Sequence, residues 1–169
     1  MTMEIATKDY IQLLSDYHKK HRGWGSNCVI FDAFREAIHK YNPQSILDFG
    51  CGKGLLTKML KNAYPNKMII GYDPAFHDEN VLPSEVDMIY SSDVFEHIEP
   101  KCLKSVLEKH HSIVNIVCYH RICTRPASAI LKDGRNAHLI IESQDWWNKQ
   151  FRSAGFNIEY ENFIDDKTQ

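Results

Sequence analysis

The segment Ile46-Leu47-Asp48-Phe49-Gly50-Cys51-Gly52-Lys53-Gly54 constrains the fold of this chain more than any other. A short apolar run ends in three alternate glycines, and Leu55, Leu56, Met59, Leu60 and Ala63 follow at helical spacing. A buried strand that turns on glycines into an amphipathic helix opens a βαβ unit. Glycine there permits a tight turn and lets a ligand approach the backbone with no Cβ in the way.

The rest of the chain agrees with that opening. Tyr10, Leu13, Leu14 and Tyr17 lie on one face of a first helix, and Ile30, Ala33, Phe34 and Ala37 on one face of a second. Ser26 or Asn27 is the expected N-cap of the second helix, and His39, Lys40 and Pro43 mark its end. Apolar runs at 46–49, 68–72, 86–90 and 113–118 read as strands. Pro100 opens a helix with Leu103, Val106, Leu107 and His110 inward, and the pair His110-His111 is expected at its C-terminus, where cations are favoured. Further short strands are expected at 138–141 and 156–160, with a helix capped by Ser143 and ended by Gly155 between them. Trp147, Gln150, Phe151 and Ala154 share one face of that helix, and Trp146 and Trp147 read as core. Short buried strands alternating with amphipathic helices predict an α/β fold, with a mainly parallel sheet covered by helices on both faces.

With no repeat or linker composition in its 169 residues, the chain reads as one domain, 1–42 supplying N-terminal helices and 43–169 the sheet core. A net charge of -2 gives no global basic field, so nucleic acid is not favoured as a partner and a membrane is not expected. Five cysteines without C-x-x-C spacing read as separate reduced thiols, and with no signal-like N-terminus a cytoplasmic location is expected. None of the nine histidines falls in H-E-x-x-H or a comparable spacing, so no metal site is predicted.

The glycine turn also limits the ligand. A dinucleotide fingerprint would place its third glycine at Leu55, and a P-loop would need Ser or Thr where Gly54 stands. Asp48 sets a carboxylate where a pyrophosphate would be repelled and an ammonium welcomed. Asp73, at the end of the next strand, stands where such folds place an acid on a ribose diol. A ribose joined to an ammonium-bearing group fits S-adenosylmethionine.

The same residues resemble a known family. The segment 46–54 looks like the first motif of class I S-adenosylmethionine-dependent methyltransferases, and Gly71-Tyr72-Asp73-Pro74 resembles their acidic motif. Asp87-Met88-Ile89-Tyr90-Ser91-Ser92-Asp93-Val94-Phe95-Glu96-His97-Ile98 resembles their fourth-strand segment. Pro126-Ala127, the stretch from Asp133 to Ile140, and Trp146-Trp147 look like a subgroup of small bacterial and phage methyltransferase-like proteins, whose cytoplasm would be that of the bacterium or the phage host. The resemblance spans about residues 20–162 and implies a Rossmann-like fold. It implies that Asp48, Gly50 and Gly52 line the methionine end, that Asp73 meets the ribose, and that the segment from Ser91 to His97 walls the pocket; Cys51, Gly54, Pro74, Ser91, Ser92, Asp93 and Trp24 are further candidates for binding the cofactor. Two departures stand out: the stretch from Asp73 to Val86 is too short for a full helix and strand, and the chain leaves little room for a last strand after Tyr160.

Catalytic candidates follow from position. His97 lies beyond the fourth-strand segment as a base, an acceptor-orienting group or a helix cap. His138 stands where the long polar segment 119–137 re-enters the core, and Asp93 either holds a ligand or caps a turn. Arg135 and Asn136 are candidates for binding the acceptor. Gly23-Trp24-Gly25 reads as a hinged cover over the cofactor or as a plain turn. The function expected is methyl transfer to a small-molecule or saccharide-like acceptor. The alternatives are a protein that binds the cofactor without transferring methyl, and a nucleotide-dependent oxidoreductase.

Overall fold

The computed structural model describes residues 5–26, 29–76 and 81–161. In chain order it contains α1 (Lys8–Lys20), α2 (Asp32–Tyr41), β1 (Ser45–Phe49), α3 (Leu55–Ala63), β2 (Met68–Tyr72), β3 (Val86–Ser92), α4 (Pro100–Ile113), β4 (Val114–Arg121) and α5 (Gln144–Ser153), with a 3₁₀ turn at Phe95–His97. The four strands form one parallel sheet in the order β2-β1-β3-β4. Strand order reverses between β1 and β3, and the crevice at the carboxyl ends of these strands is where open α/β sheets bind ligands.

Alternation along β1 shows why both faces are covered. Ile46 points to the α2 and α3 side with Phe34, Ile38, Leu56, Leu60 and Met88. Leu47 and Phe49 point to the α4 and α5 side with Ile89, Leu103, Val106, Leu107 and Trp147. A strand buried on both faces needs apolar residues at every position, and the single charged residue of β1, Asp48, stands out for that reason. The fold is the expected Rossmann-like α/β arrangement. Among the described residues no helix is long and apolar enough to cross a membrane.

Several local expectations are corrected. The second helix begins at Asp32, with Phe31 at the N-cap position and no capping side chain. Ser26 instead donates its hydroxyl to the Arg22 carbonyl at 3.2 Å, and Asn27 lies outside the described residues. His110 does sit in the last turn of α4, but it is fully buried between Phe49 and Phe95, and burial pushes its pKa down to about 3. It is a neutral core ring and not a cation at the helix end.

The segments at 138–141 and 156–160 are not strands. The first docks on the 3₁₀ turn after β3: Leu139 and Ile140 donate their N–H groups to the Glu96 carbonyl at 2.7 and 3.0 Å. The second is held by side chains, with Glu159 accepting from Lys40 at 3.2 Å and from the Tyr41 hydroxyl. The segment 119–137 is less loose than its composition suggests. Its first three residues extend β4, and Leu131 and Ala137 are buried against Tyr10 of α1. Helix α1 packs on this segment, so the helix and the loop share a small apolar cluster. Between β2 and β3 the described residues contain neither helix nor strand, in line with the short spacing noted above.

Candidate active site

The glycine turn holds its shape through positive φ angles and the neighbouring strand. Gly50 has φ +76°, and both its N–H and that of Cys51 donate to the Tyr72 carbonyl, at 2.7 and 3.1 Å. A Cβ on Gly50 would lie 2.4 Å from Val94, so any other residue would have to displace that side chain. Gly52 has φ +51° and donates its N–H to Asp73 Oδ2 at 2.9 Å. Gly54, at φ +70°, occupies the N-cap position of α3 without a capping side chain, leaving that end of the helix to other partners.

Two carboxylates border the turn. Asp48 is buried, and its Oδ2 accepts the Thr57 hydroxyl at 2.6 Å. Burial pushes its pKa up to about 6; the Thr57 bond opposes that rise and the nearby Asp73 charge adds to it. Asp73 is also buried and accepts Gly52 N–H on one oxygen and Ala75 N–H on the other, both at 2.9 Å. Pro74 follows it in the turn. Cys51 is buried beside these acids, and burial pushes its thiol up to about 12, so it is an inert wall and not a nucleophile.

The turn containing Trp24 lies directly on the glycines. Lys53 N–H donates to the Gly25 carbonyl at 2.9 Å, and a Cβ on Gly52 would come within 2.5 Å of that oxygen. Trp24 packs edge-on against His97, with ring centroids 5.2 Å apart, and against Tyr17 at 4.8 Å. His18, which sequence reasoning passed over, is buried beneath Gly25 and near Asp73. Burial lowers its pKa while Asp73 pulls the other way.

The end of β3 forms the opposite wall. Ser91 is buried and shares a 2.8 Å hydrogen bond with His120 Nδ1. Ser92 donates its hydroxyl to Asp93 Oδ2 at 3.1 Å, and Arg121 pairs with the same oxygen at 2.5 Å. Asp93 has φ +56°, a left-handed conformation uncommon outside glycine, which turns the chain sharply from the strand into the 3₁₀ turn.

That turn brings Glu96 and His97 beside His138. His97 Nδ1 lies 2.7 Å from the Ala137 carbonyl, and His138 Nδ1 lies 2.5 Å from the Arg125 carbonyl. A carbonyl only accepts, so each Nδ1 carries a proton, and in the neutral tautomer Nε2 is the acceptor. Burial pushes the His97 pKa down to about 4, so its ring is neutral at neutral pH. Glu96 is fully buried; its Oε1 accepts Cys123 N–H at 2.9 Å, and burial pushes its pKa up to about 7. Glu96 was legible only as part of a motif and was not singled out; its adjacency to His97 was the available signal.

Arg135 and Asn136 are placed differently. Arg135 pairs with Asp133 at 2.6 Å and stacks over the Tyr10 ring, in a separate groove of about 480 Å³ lined also by Thr7, Glu99 and Lys101. The Asn136 side chain is engaged within its own loop. It accepts Ala127 N–H at 3.0 Å and His138 N–H at 2.9 Å, and donates to the Ala127 carbonyl at 2.8 Å.

The turn between β1 and α3, the buried acids and the wall at β3 can therefore enclose a ligand that presents hydrogen-bond donors or positive charge to Asp48 and Asp73. Comparison with known proteins identifies the family with this architecture. A family model described as a methyltransferase domain matches residues 6–161, while no curated protein matches the chain. The chain belongs to the methyltransferase-domain family, and its activity class is methyl transfer.

Proposed function

We propose that the methyl donor is S-adenosylmethionine and that the acceptor is a small, saccharide-like molecule. The observation that carries this reading is the pair of buried carboxylates, Asp48 and Asp73, flanking a glycine turn at the strand-order reversal. A dinucleotide would bring a pyrophosphate against both acids, whereas an ammonium and a ribose diol each offer donors to them. Above Gly54 a Cβ would meet nothing, so that end of the turn is open to a ligand lying close to the backbone.

In this reading Asp48 faces the ammonium and Asp73 the ribose. Cys51, Gly54 and Pro74 shape the floor, and Ser91, Ser92 and Asp93 line the far wall. When bound, the donor supplies an electrophilic methyl on a sulfonium that is already a good leaving group. The protein's task is then positioning and exclusion of water. The turn carrying Trp24 covers the glycines and, with Gly23 and Gly25 as hinges, opens to admit the donor. His97 keeps its Nε2 lone pair at neutral pH, yet a pKa near 4 makes it a poor proton acceptor. It therefore does not serve as the general base for an acceptor hydroxyl.

A thermal-shift comparison tests the donor. S-adenosylhomocysteine at saturating concentration should raise the melting temperature, because a ligand that binds only the folded state stabilises it by mass action. NAD should not. Stabilisation by NAD alone would overturn this reading.

A further inference from the structure

We propose that Glu96, His97 and His138 form a binding site for a divalent transition-metal ion. One ligand atom from each residue lies within 4.8 Å of the others. A tetrahedral ion with bonds of about 2.1 Å holds its ligands about 3.4 Å apart, so closing the site takes modest side-chain rotation.

Three observations support the site independently of that distance. First, both imidazoles donate Nδ1–H to backbone carbonyls, at Ala137 and Arg125, which leaves Nε2 as the ligating nitrogen of each neutral ring. A carbonyl or carboxylate holding the remote ring nitrogen is the usual support of a metal-binding histidine. Second, Glu96 Oε2 is buried without a hydrogen-bond partner, in a residue 0% exposed. A buried, unsatisfied carboxylate oxygen is costly, and a cation is the partner that would remove the cost. Third, the backbone is arranged to bring His138 to Glu96. Leu139 and Ile140 dock on the Glu96 carbonyl, and the Asn136 side chain accepts His138 N–H.

Two imidazoles and a carboxylate with an unpartnered buried oxygen offer one ion three ligands. Two imidazoles and one carboxylate suit Zn²⁺, Mn²⁺ or Fe²⁺ better than Mg²⁺ or Ca²⁺, which prefer all-oxygen surroundings. Such a set leaves coordination positions open, and Trp24, against His97, links the site to the glycine turn.

The ion's role, unlike the site itself, rests on the methyl-transfer reading: it would bind a hydroxyl oxygen of the acceptor and lower that hydroxyl's pKa. The hydroxyl proton leaves to solvent, the oxygen forms the new bond to the methyl carbon, and the broken S–C bond leaves its electron pair on sulfur. The acceptor class is thus an alcohol, such as a sugar hydroxyl.

The test uses the full chain, freed of metal with a chelator and titrated calorimetrically with Zn²⁺ and, in parallel, Co²⁺ followed by visible absorption. Wild type should bind one ion saturably and give a Co²⁺ spectrum of mixed nitrogen and oxygen ligation. His138→Ala should weaken binding at least tenfold and abolish that spectrum, and Glu96→Gln should act likewise. His138 is half-exposed, so the Ala variant should stay folded even if the Glu96 change does not. Equal Zn²⁺ binding and an equal Co²⁺ spectrum in wild type and His138→Ala would overturn the proposal, as would no saturable binding by wild type. Zn²⁺ binding lost in His138→Ala, by a wild type that fails to bind S-adenosylhomocysteine, would uphold the metal site and overturn the donor reading alone.

Discussion

Replacing Asp48 with Asn should stabilise the unliganded protein at neutral pH while impairing donor binding. The carboxyl is buried on the middle strand of the core, and its pKa is pushed from an ordinary 3.8 up to about 6. A group whose folded pKa exceeds its unfolded value favours folding while it is protonated. That contribution is present below about pH 4 and is lost as pH rises through 6. A rise of that size corresponds to about 3 kcal/mol, so wild type at pH 8 gives up roughly that much stability to keep the carboxylate charged. An Asn side chain fills the same space, and its carbonyl oxygen can accept the Thr57 hydroxyl, which now donates to Asp48 at 2.6 Å. The variant should exceed wild type by about 1–3 kcal/mol at pH 8, with the gap closing towards about pH 4.5. Urea unfolding of both proteins across that range measures it directly. A gap independent of pH, or one that grows as pH falls, would refute the assignment of a raised pKa to Asp48. The stabilised variant should bind S-adenosylhomocysteine more weakly, the trade expected of a charge kept for a ligand.

Gly50→Ala should cost about 2 kcal/mol or more, because the new Cβ meets both a positive φ and the Val94 side chain, whereas Gly54→Ala, with open space above it, should cost only about 1 kcal/mol; equal melting temperatures for the two variants would contradict this. Leu60→Ala removes a fully buried side chain between α3 and the sheet and should cost about 2–5 kcal/mol in urea unfolding. Asn136→Ala releases three hydrogen bonds that tie Ala127 to His138 and should weaken Zn²⁺ binding about 10–100-fold, read by calorimetry against wild type.

What was legible in the sequence was local. The run from Ile46 to Leu60 carries strand, turn and helix in adjacent residues, so spacing alone located β1, the glycine turn and α3. Ser143, whose hydroxyl accepts Trp146 N–H at 3.3 Å, was recognisable as a cap for the same reason. Features that depend on distant partners were not. β4 continues through Tyr119, His120 and Arg121, polar residues that read as loop, because His120 is enclosed by Phe95, Phe151 and Ser91. Alternation at 156–160 marked one apolar side, but alternation does not supply a hydrogen-bonding strand, and that stretch is held by Lys40 and Tyr41 instead. His138 joins Glu96 and His97 only through the docking of its segment on the Glu96 carbonyl, and no spacing rule registers such a pairing. Arg135 reads from the sequence as an acceptor-binding candidate, while its pairing with Asp133 two residues away is visible only in the structure.

The measurement that tests the central claim most directly is calorimetric titration of the purified protein with S-adenosylmethionine and S-adenosylhomocysteine, with Asp48→Ala and Asp73→Ala in parallel. One saturable site, weakened at least about tenfold by either change, is the expected result, since each removes a charged hydrogen-bond acceptor worth about 1.5–3 kcal/mol. A correctly folded wild type that binds neither compound would contradict it, and the glycine turn with its two buried acids would then serve another ligand.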